Sequence, residues 1–412
     1  MLHNPDPPSL KWIMRFHLCL IALLTTSVNA QTPQFRPQTI DSAIQIGYGL
    51  AIADVQGDGK PDILLADKTQ IVWYENPTWQ KHVIAENLTE KDNVCIAARD
   101  IDGDGKCEIA VGAGWNPSDT ETSGAVFYLI PPADRTQKWE PVALPHEPTT
   151  HRMKWVKRGK DRFDLVVVPL HGRGNKNGEG AGVKILAYQK PANPRHPWPT
   201  EVISDDMHLT HNFDVTWGDE HQEKILLSGK EGWESRFLLS PVSPVRIISQ
   251  FTHQNQPELK GIGEIRQFRR QLLVATIEPM HGNQLVLYSV SGITRGGPYG
   301  ATRSVLDDTL ADGHALATAD LLNLGHDQII VGWRAMSNRL AKVGIKMFIA
   351  KDTDGREWET HLIDDNTMAC EDLIIADLNG DNKPDIIASG RRTQNVIIYW
   401  NESVTSASAT KN

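Results

Sequence analysis

One short pattern constrains this chain more than any other: an Asp/Gly-rich stretch of nine residues set between two apolar strands and repeated along the sequence. Ala51–Leu65, Ala97–Val111 and Ile375–Ile387 are three copies of one unit. A weaker fourth, Ala317–Val331, keeps both flanking strands and loses most of the loop carboxylates. Each copy reads as a hairpin, because Gly, Asp and Asn supply the turn and β-branched residues supply the strands.

A third strand with an alternating aromatic tail follows at Gln70–Glu75, Ala125–Leu129, Val183–Tyr188, Gln284–Tyr288, Gly344–Phe348 and Asn395–Tyr399. Trp79–Ile84 and Trp358–Ile363 mark a fourth. Four antiparallel strands at a period of about 40 to 55 residues are the signature of a propeller blade. The expected fold is therefore all-β, a seven-bladed β-propeller with blades opening near Gly47, Asp92, Thr149, His208, Leu259, Asp312 and Met368. The last blade ends after its third strand, and Phe35–Asp41 resembles an orphan fourth strand. The N-terminal strand is expected to complete the C-terminal blade and to close the ring, leaving no unpaired edge.

Residues 1–30 have the layout of a secretory signal: Lys11 and Arg15, the apolar run Phe16–Leu24, then Val28-Asn29-Ala30 as a small-residue cleavage site. The expectation is a mature protein from residue 31, secreted or periplasmic, with no membrane span, a propeller over 31–404 and a disordered tail at 405–412. The formal net charge is −9 and the basic residues are scattered, which argues against nucleic acid as a partner. Cys95, Cys107 and Cys370 are too few for a disulfide framework. A Cys95–Cys107 bridge is the alternative to small buried thiols, which the sequence favours.

Within the loops, oxygen ligands fall at positions one, three, five and nine: Asp100, Asp102, Asp104 and Glu108 in blade two, Asp54, Gln56, Asp58 and Asp62 in blade one, and Asp377, Asn379, Asp381 and Asp385 in blade seven. This is the ligand logic of a hard cation, Ca²⁺, in a structural role. The pattern resembles the FG-GAP or VCBS repeat family, whose propellers carry structural calcium in this loop. Lys157–Asp161, Trp217–His221 and Gln267–Gln271 replace the acidic loop in the central blades.

The opposite rim gathers a second set, because there the first strand of each blade begins and the second ends. Blade three offers His151 and His171, blade four His211 and Glu231, blade five Glu278 and His281, blade six His314 and Arg334, and blade seven Glu371, Asp372, Arg391 and Arg392. Converging imidazoles and carboxylates bind a transition metal or move protons near neutral pH. The expected metal ligands are His151, His171, His211 and His281. The expected catalytic groups are His211, His281, Glu278, His314, Arg334 and Glu371, with Trp333 orienting the ligand. The Gly-rich tracts at 172–182 and 295–300 read as connections between blades.

The segments His151–Trp155, Pro169–Gly174, His211–Phe213, Glu278–Asn283, Asp312–His314 and Gly332–Arg334 resemble the β-propeller domain of aldos-2-ulose dehydratases. That resemblance implies a sugar-binding funnel with a divalent metal, often Zn²⁺, assisting elimination of water from a ketosugar such as an anhydrofructose. Such enzymes carry additional cupin-like domains; this sequence stops soon after blade seven, so isomerase activity tied to those domains is not expected. The leading expectation is a carbon-oxygen lyase acting on a small carbohydrate. The alternative is a non-enzymatic propeller that binds a glycan or a protein through the same rim.

Overall fold

The second strand of each blade is nearly continuous in apolar residues, as in Asp62–Ala66 and Glu108–Ala113, and every residue of these two strands is buried. Both faces of such a strand must be covered, and stacked blades cover them. The computed structural model describes Met1 and residues 32–218, 221–238, 245–248, 260–269, 271–291, 300–352 and 355–404. Among these, every regular element is a β-strand, arranged as seven four-stranded antiparallel sheets. No helix among the described residues is long and apolar enough to cross a membrane. The proposed signal segment, the tail at 405–412 and most of the 295–300 tract lie outside the described residues.

The innermost strands are Gly49–Ala53, Cys95–Arg99, Thr150–Gly159, Thr210–Thr216, Glu264–Gln267, Gly313–Ala319 and Cys370–Ala376. Each touches the innermost strand of the next blade, and the last touches the first, so the seven line one channel. Phe35–Asp41 pairs with Asn395–Asn401, so the N-terminal strand is the outer strand of blade seven. The recurrent tyrosine of the third strand helps to lock neighbours together. Tyr74 donates to Asp41, Tyr399 to Asp364 and Tyr188 to the carbonyl of Pro145, each time reaching the outer part of the preceding blade. Buried phenols need such a partner.

In four blades the first loop residue is an aspartate whose carboxylate accepts amide hydrogens from its own loop: Asp54 from Gly57 and Gly59, Asp100 from Gly103 and Gly105, Asp377 from Gly380 and Asn382, Asp320 from Leu324 and Gly325. Left-handed backbone at Gly57 and Gly59, and at Asn323 and Gly325 in blade six, permits this winding. Blade six therefore keeps the loop shape without the carboxylates at positions three, five and nine. Blade three solves the same problem differently. Asp164 stands where Asp62 stands in blade one, and the buried guanidinium of Arg158 lies 2.8 Å from it, with Arg162 adding a second pair. An arginine thus supplies the positive charge beside this buried carboxylate. Cys95, Cys107 and Cys370 are free and buried, so no Cys95–Cys107 bridge forms; burial pushes the thiols of Cys95 and Cys107 up to about 12.

Candidate functional site

Four of the seven innermost strands begin with an irregular register, and the irregularity falls on the same place each time. His151, His211 with Asn212, His314 and Glu371 are extra residues facing a regular second strand. Blades one, two and five pair without this interruption. A bulge leaves the extra residue outside the ladder and re-aims its side chain. It also releases a backbone carbonyl, which must find another donor when buried.

The histidines supply those donors. Nδ1 of His151 donates to the carbonyl of His211 at 2.7 Å, and Nδ1 of His314 to the carbonyl of Glu371 at 2.6 Å. Nδ1 of His211 donates to the carbonyl of Gly263 at 2.9 Å. Each imidazole is thereby held by the matching point of the following blade, with the proton fixed on Nδ1 and the lone pair on Nε2. Second-sphere carbonyls prepare metal-binding histidines in this way. Desolvation holds His151 and His314 well below the usual imidazole range, Arg152 adding to the effect at the first and Arg334 at the second. Desolvation also lowers His211, against the opposing pull of Glu264. All three rings are neutral near pH 7.

Blade five contributes differently. Just ahead of its innermost strand stands Gly263, where blades three, four, six and seven carry a histidine or glutamate, and a Cβ there would lie 3.2 Å from the backbone nitrogen of His281. The missing side chain makes room for the Pro279–Gly282 turn, which delivers His281 from a left-handed backbone conformation. Nε2 of His281 sits 2.6 Å from Nε2 of His211. Ligand nitrogens of His211, His281 and His314 all lie within 4.8 Å of one another. Desolvation, then the neighbouring His211 and Arg334, lower His281 as well, although the residue as a whole is exposed at the mouth.

The expected residues divide accordingly. His211, His281 and His314 converge; His151 lies beside them, its ring centroid 4.8 Å from that of His211. His171 is not in the cluster, and its Nδ1 is buried without a hydrogen-bond partner among the described residues. Glu278 is also outside it. Thr276, Tyr288 and Arg303 occupy both of its carboxylate oxygens, so it serves the packing of blade five. Glu371 accepts from Arg334 on one oxygen at 2.6 Å and from Arg391 on the other at 2.9 Å. A carboxylate clamped by two guanidiniums positions them and is ill suited to donate a proton. Trp333 is core, its indole donating to the carbonyl of Lys342.

Several residues escaped the sequence reading. Trp115 stacks on His151 with ring centroids 4.9 Å apart. It lies two residues beyond the second strand of blade two, the offset at which His171 follows blade three, and extending the rim reading to blade two would have found it. Glu264, fully buried, accepts from Asn212 at 2.6 Å and lies 3.5 Å from His211 Nδ1. Burial opposes its charge, yet His211 and Arg266 hold its carboxyl below the usual range. Farther along, the channel widens into a cavity of about 410 Å³ lined by Lys154, Asp214, Arg266 and Asp372, with Trp217 towards the acidic loops.

At that other end, oxygens of Asp100, Asp102 and Glu108 lie within 4.8 Å of one another, a spacing that fits a hard cation. Glu108 spends one oxygen on the amide of Ile101, whereas Asp62 and Asp385 each engage both oxygens with backbone amides. Among the described residues the carboxylates of blades one and seven do not gather as closely. Burial pushes Asp62 and Glu108 up to about 7 and Asp385 up to about 6, with neighbouring loop carboxylates adding to the rise.

Comparison with known proteins gives two family matches. Residues 123–291 match the β-propeller domain of aldos-2-ulose dehydratase, a stretch that holds His151, His211 and His281 but ends before His314 and Glu371. Residues 54–111 match the FG-GAP-like repeat. The first match points to a carbohydrate-related role. No curated protein is significantly similar to this chain. Similar solved structures include BBS1N in its complex with ARL6DN, at 13% identity and TM-score 0.55 over 92% of this chain and 97% of that one. A chain of the mitotic checkpoint complex follows at 12% and 0.54, over 98% of both. Hydrazine synthase of Kuenenia stuttgartiensis matches at 10% and 0.53, over 88% and 97%. At these identities the likeness is one of fold.

Proposed function

We propose that this protein is an exported, calcium-stabilised propeller that eliminates water from a ketosugar at the histidine rim. The observation that carries the reading is the convergence of His211, His281 and His314, two of them with tautomers set by backbone carbonyls so that Nε2 lone pairs face one point. These three would hold a divalent ion such as Zn²⁺, a set that differs from the sequence expectation by admitting His314 and releasing His151 and His171. The ion, when bound, supplies a Lewis acid for the substrate carbonyl.

The remaining steps belong to the chain's own residues. His151 keeps Nε2 free while Nδ1 is tied to the next blade, and it takes the proton alpha to the carbonyl. The carbon–oxygen bond to the β-hydroxyl then breaks, and the same imidazolium returns its proton to the departing hydroxyl, so that one water leaves. Arg334 and Arg391, fixed by Glu371, orient the sugar oxygens, and Trp115 backs the base. At the opposite end Asp100, Asp102 and Glu108, with the matching residues of blades one and seven, would bind calcium and stiffen the loops.

The test uses 1,5-anhydrofructose as substrate, ultraviolet detection of the conjugated enone, and elemental analysis of the protein kept in calcium. His281→Ala and His314→Ala should lose both the transition metal and turnover. His151→Ala should keep the metal and lose about 10²- to 10⁴-fold in rate. Undiminished turnover in metal-free protein, or in His151→Ala, would refute the assignment. If His151→Ala changes sugar affinity alone and no variant or wild type turns over, the rim is a binding site without chemistry. N-terminal sequencing of exported protein tests cleavage after Ala30.

A further inference from the structure

The geometry points to a second carbohydrate site, on the outside of the ring at the seam where blade seven meets blade one. Four blades carry a tryptophan at the start of the outer strand, and three use it alike. The indoles of Trp139, Trp198 and Trp358 each donate to a carbonyl of their own loop, at Arg135, Pro194 and Gly355. Two of them, Trp139 and Trp198, are buried between blades.

Trp79 breaks this habit. Its backbone is left-handed, with φ of 58°, a conformation that bulky side chains rarely adopt. Its indole nitrogen makes no hydrogen bond among the described residues, and its ring lies 6.2 Å from that of Trp400 at an angle of 49°. Trp400 is itself held in place by donating to Gln38 at 2.7 Å. The two indoles form the apolar wall of a cleft of about 730 Å³, and Arg36, Gln38 and Lys60 supply polar groups at its edge. Asn76 ties the floor together by donating to Pro61 of its own blade and to Leu378 of blade seven.

The chemistry of the cleft selects its occupant. Partly exposed indole faces beside planar and cationic hydrogen-bond donors suit a pyranose, which offers C–H faces and a belt of hydroxyls. Arg36 is paired with Glu402, which leaves a single amine, Lys60, at the edge and no cluster of unpaired cations to hold a polyanion. A neutral oligosaccharide is the ligand class. The volume holds more than a single sugar ring, which suits a chain lying along the seam. The site is separate from the histidine rim and does not depend on chemistry there.

Titration calorimetry and tryptophan fluorescence on the full chain, with xylohexaose, cellohexaose, laminarihexaose, maltohexaose and chitohexaose as probes, test the inference. Saturable binding of at least one probe is expected. Trp79→Ala should weaken it at least tenfold, Arg36→Ala and Lys60→Ala severalfold, and His281→Ala not at all. The last three replace exposed or rim residues, so the comparison survives if the tryptophan variant folds poorly. Binding lost in His281→Ala but retained in Arg36→Ala and Lys60→Ala would assign the sugar to the channel and overturn the proposal. Failure of every probe to bind would overturn it as well and leave the seam to a protein partner.

Discussion

Acid should destabilise this propeller through its buried imidazoles before most of its carboxylates titrate. His151 and His314 sit in the protein well below 6.5, the value of a free imidazole, because desolvation and neighbouring guanidiniums oppose their charging. Arg152 and Arg334 are the cations nearest in effect, and Glu371 lies between Arg334 and Arg391. The unfolded chain binds protons below 6.5 that the native state refuses, so stability is full above that pH and falls as pH drops beneath it. Integrated from about pH 7.5 to about pH 5.5, each such histidine removes about 1.4 kcal/mol, so this pair alone removes about 3 kcal/mol, and His211 and His281, lowered by the same desolvation, add to it. With an unfolding entropy of roughly 2 cal/mol/K per residue, a chain of this size should melt at least about 3–4 °C lower. The assay is calorimetry or urea unfolding at a fixed calcium concentration, with transition metals removed by a zinc-selective chelator. His314→Gln should remove about 1.4 kcal/mol of that pH dependence. A flat stability across this range, or an unchanged slope in His314→Gln, would refute the account.

Three other outcomes follow from the same geometry. Glu371→Gln leaves Arg334 and Arg391 without their shared counter-charge and should cost about 3 kcal/mol in urea unfolding, together with most turnover; a cost below about 1 kcal/mol would mean that the clamp is idle. Asp164→Asn in blade three leaves the buried Arg158 only the more exposed carboxylate of Glu201 as counter-charge and should cost up to about 3 kcal/mol equally with and without calcium, whereas a calcium-dependent cost would show that the guanidinium does not replace a cation there. Removing calcium with a chelator should lower the melting temperature more at pH 8 than at pH 5.5. Burial raises Asp62, Glu108 and Asp385 in the cation-free protein, so their protonated forms stabilise it in acid and that contribution disappears as pH rises through about 6 to 7. Equal losses at both pH values would sink this reading.

What the sequence determined by itself was the ring. The repeated Asp/Gly hairpin, the aromatic third strand and the orphan segment Phe35–Asp41 are local patterns whose period and turn chemistry leave one all-β solution, and the strand pairings follow them. The common register of His151, His211, His314 and Glu371 could be read by counting along each blade, since the bulge recurs at one position. Only the tertiary structure decided what those groups face. Glu278 belongs to the rim by position, but Arg303 and Tyr288 come from elsewhere in its blade and capture it. His281 reaches His211 because Gly263, 18 residues earlier, leaves space for the turn, and no local pattern announces that vacancy. Trp79 and Trp400 are more than 300 residues apart and meet because the ring closes there. Strand identity is set by neighbours in sequence, whereas the partner of a side chain in a closed ring is set by the blade beside it.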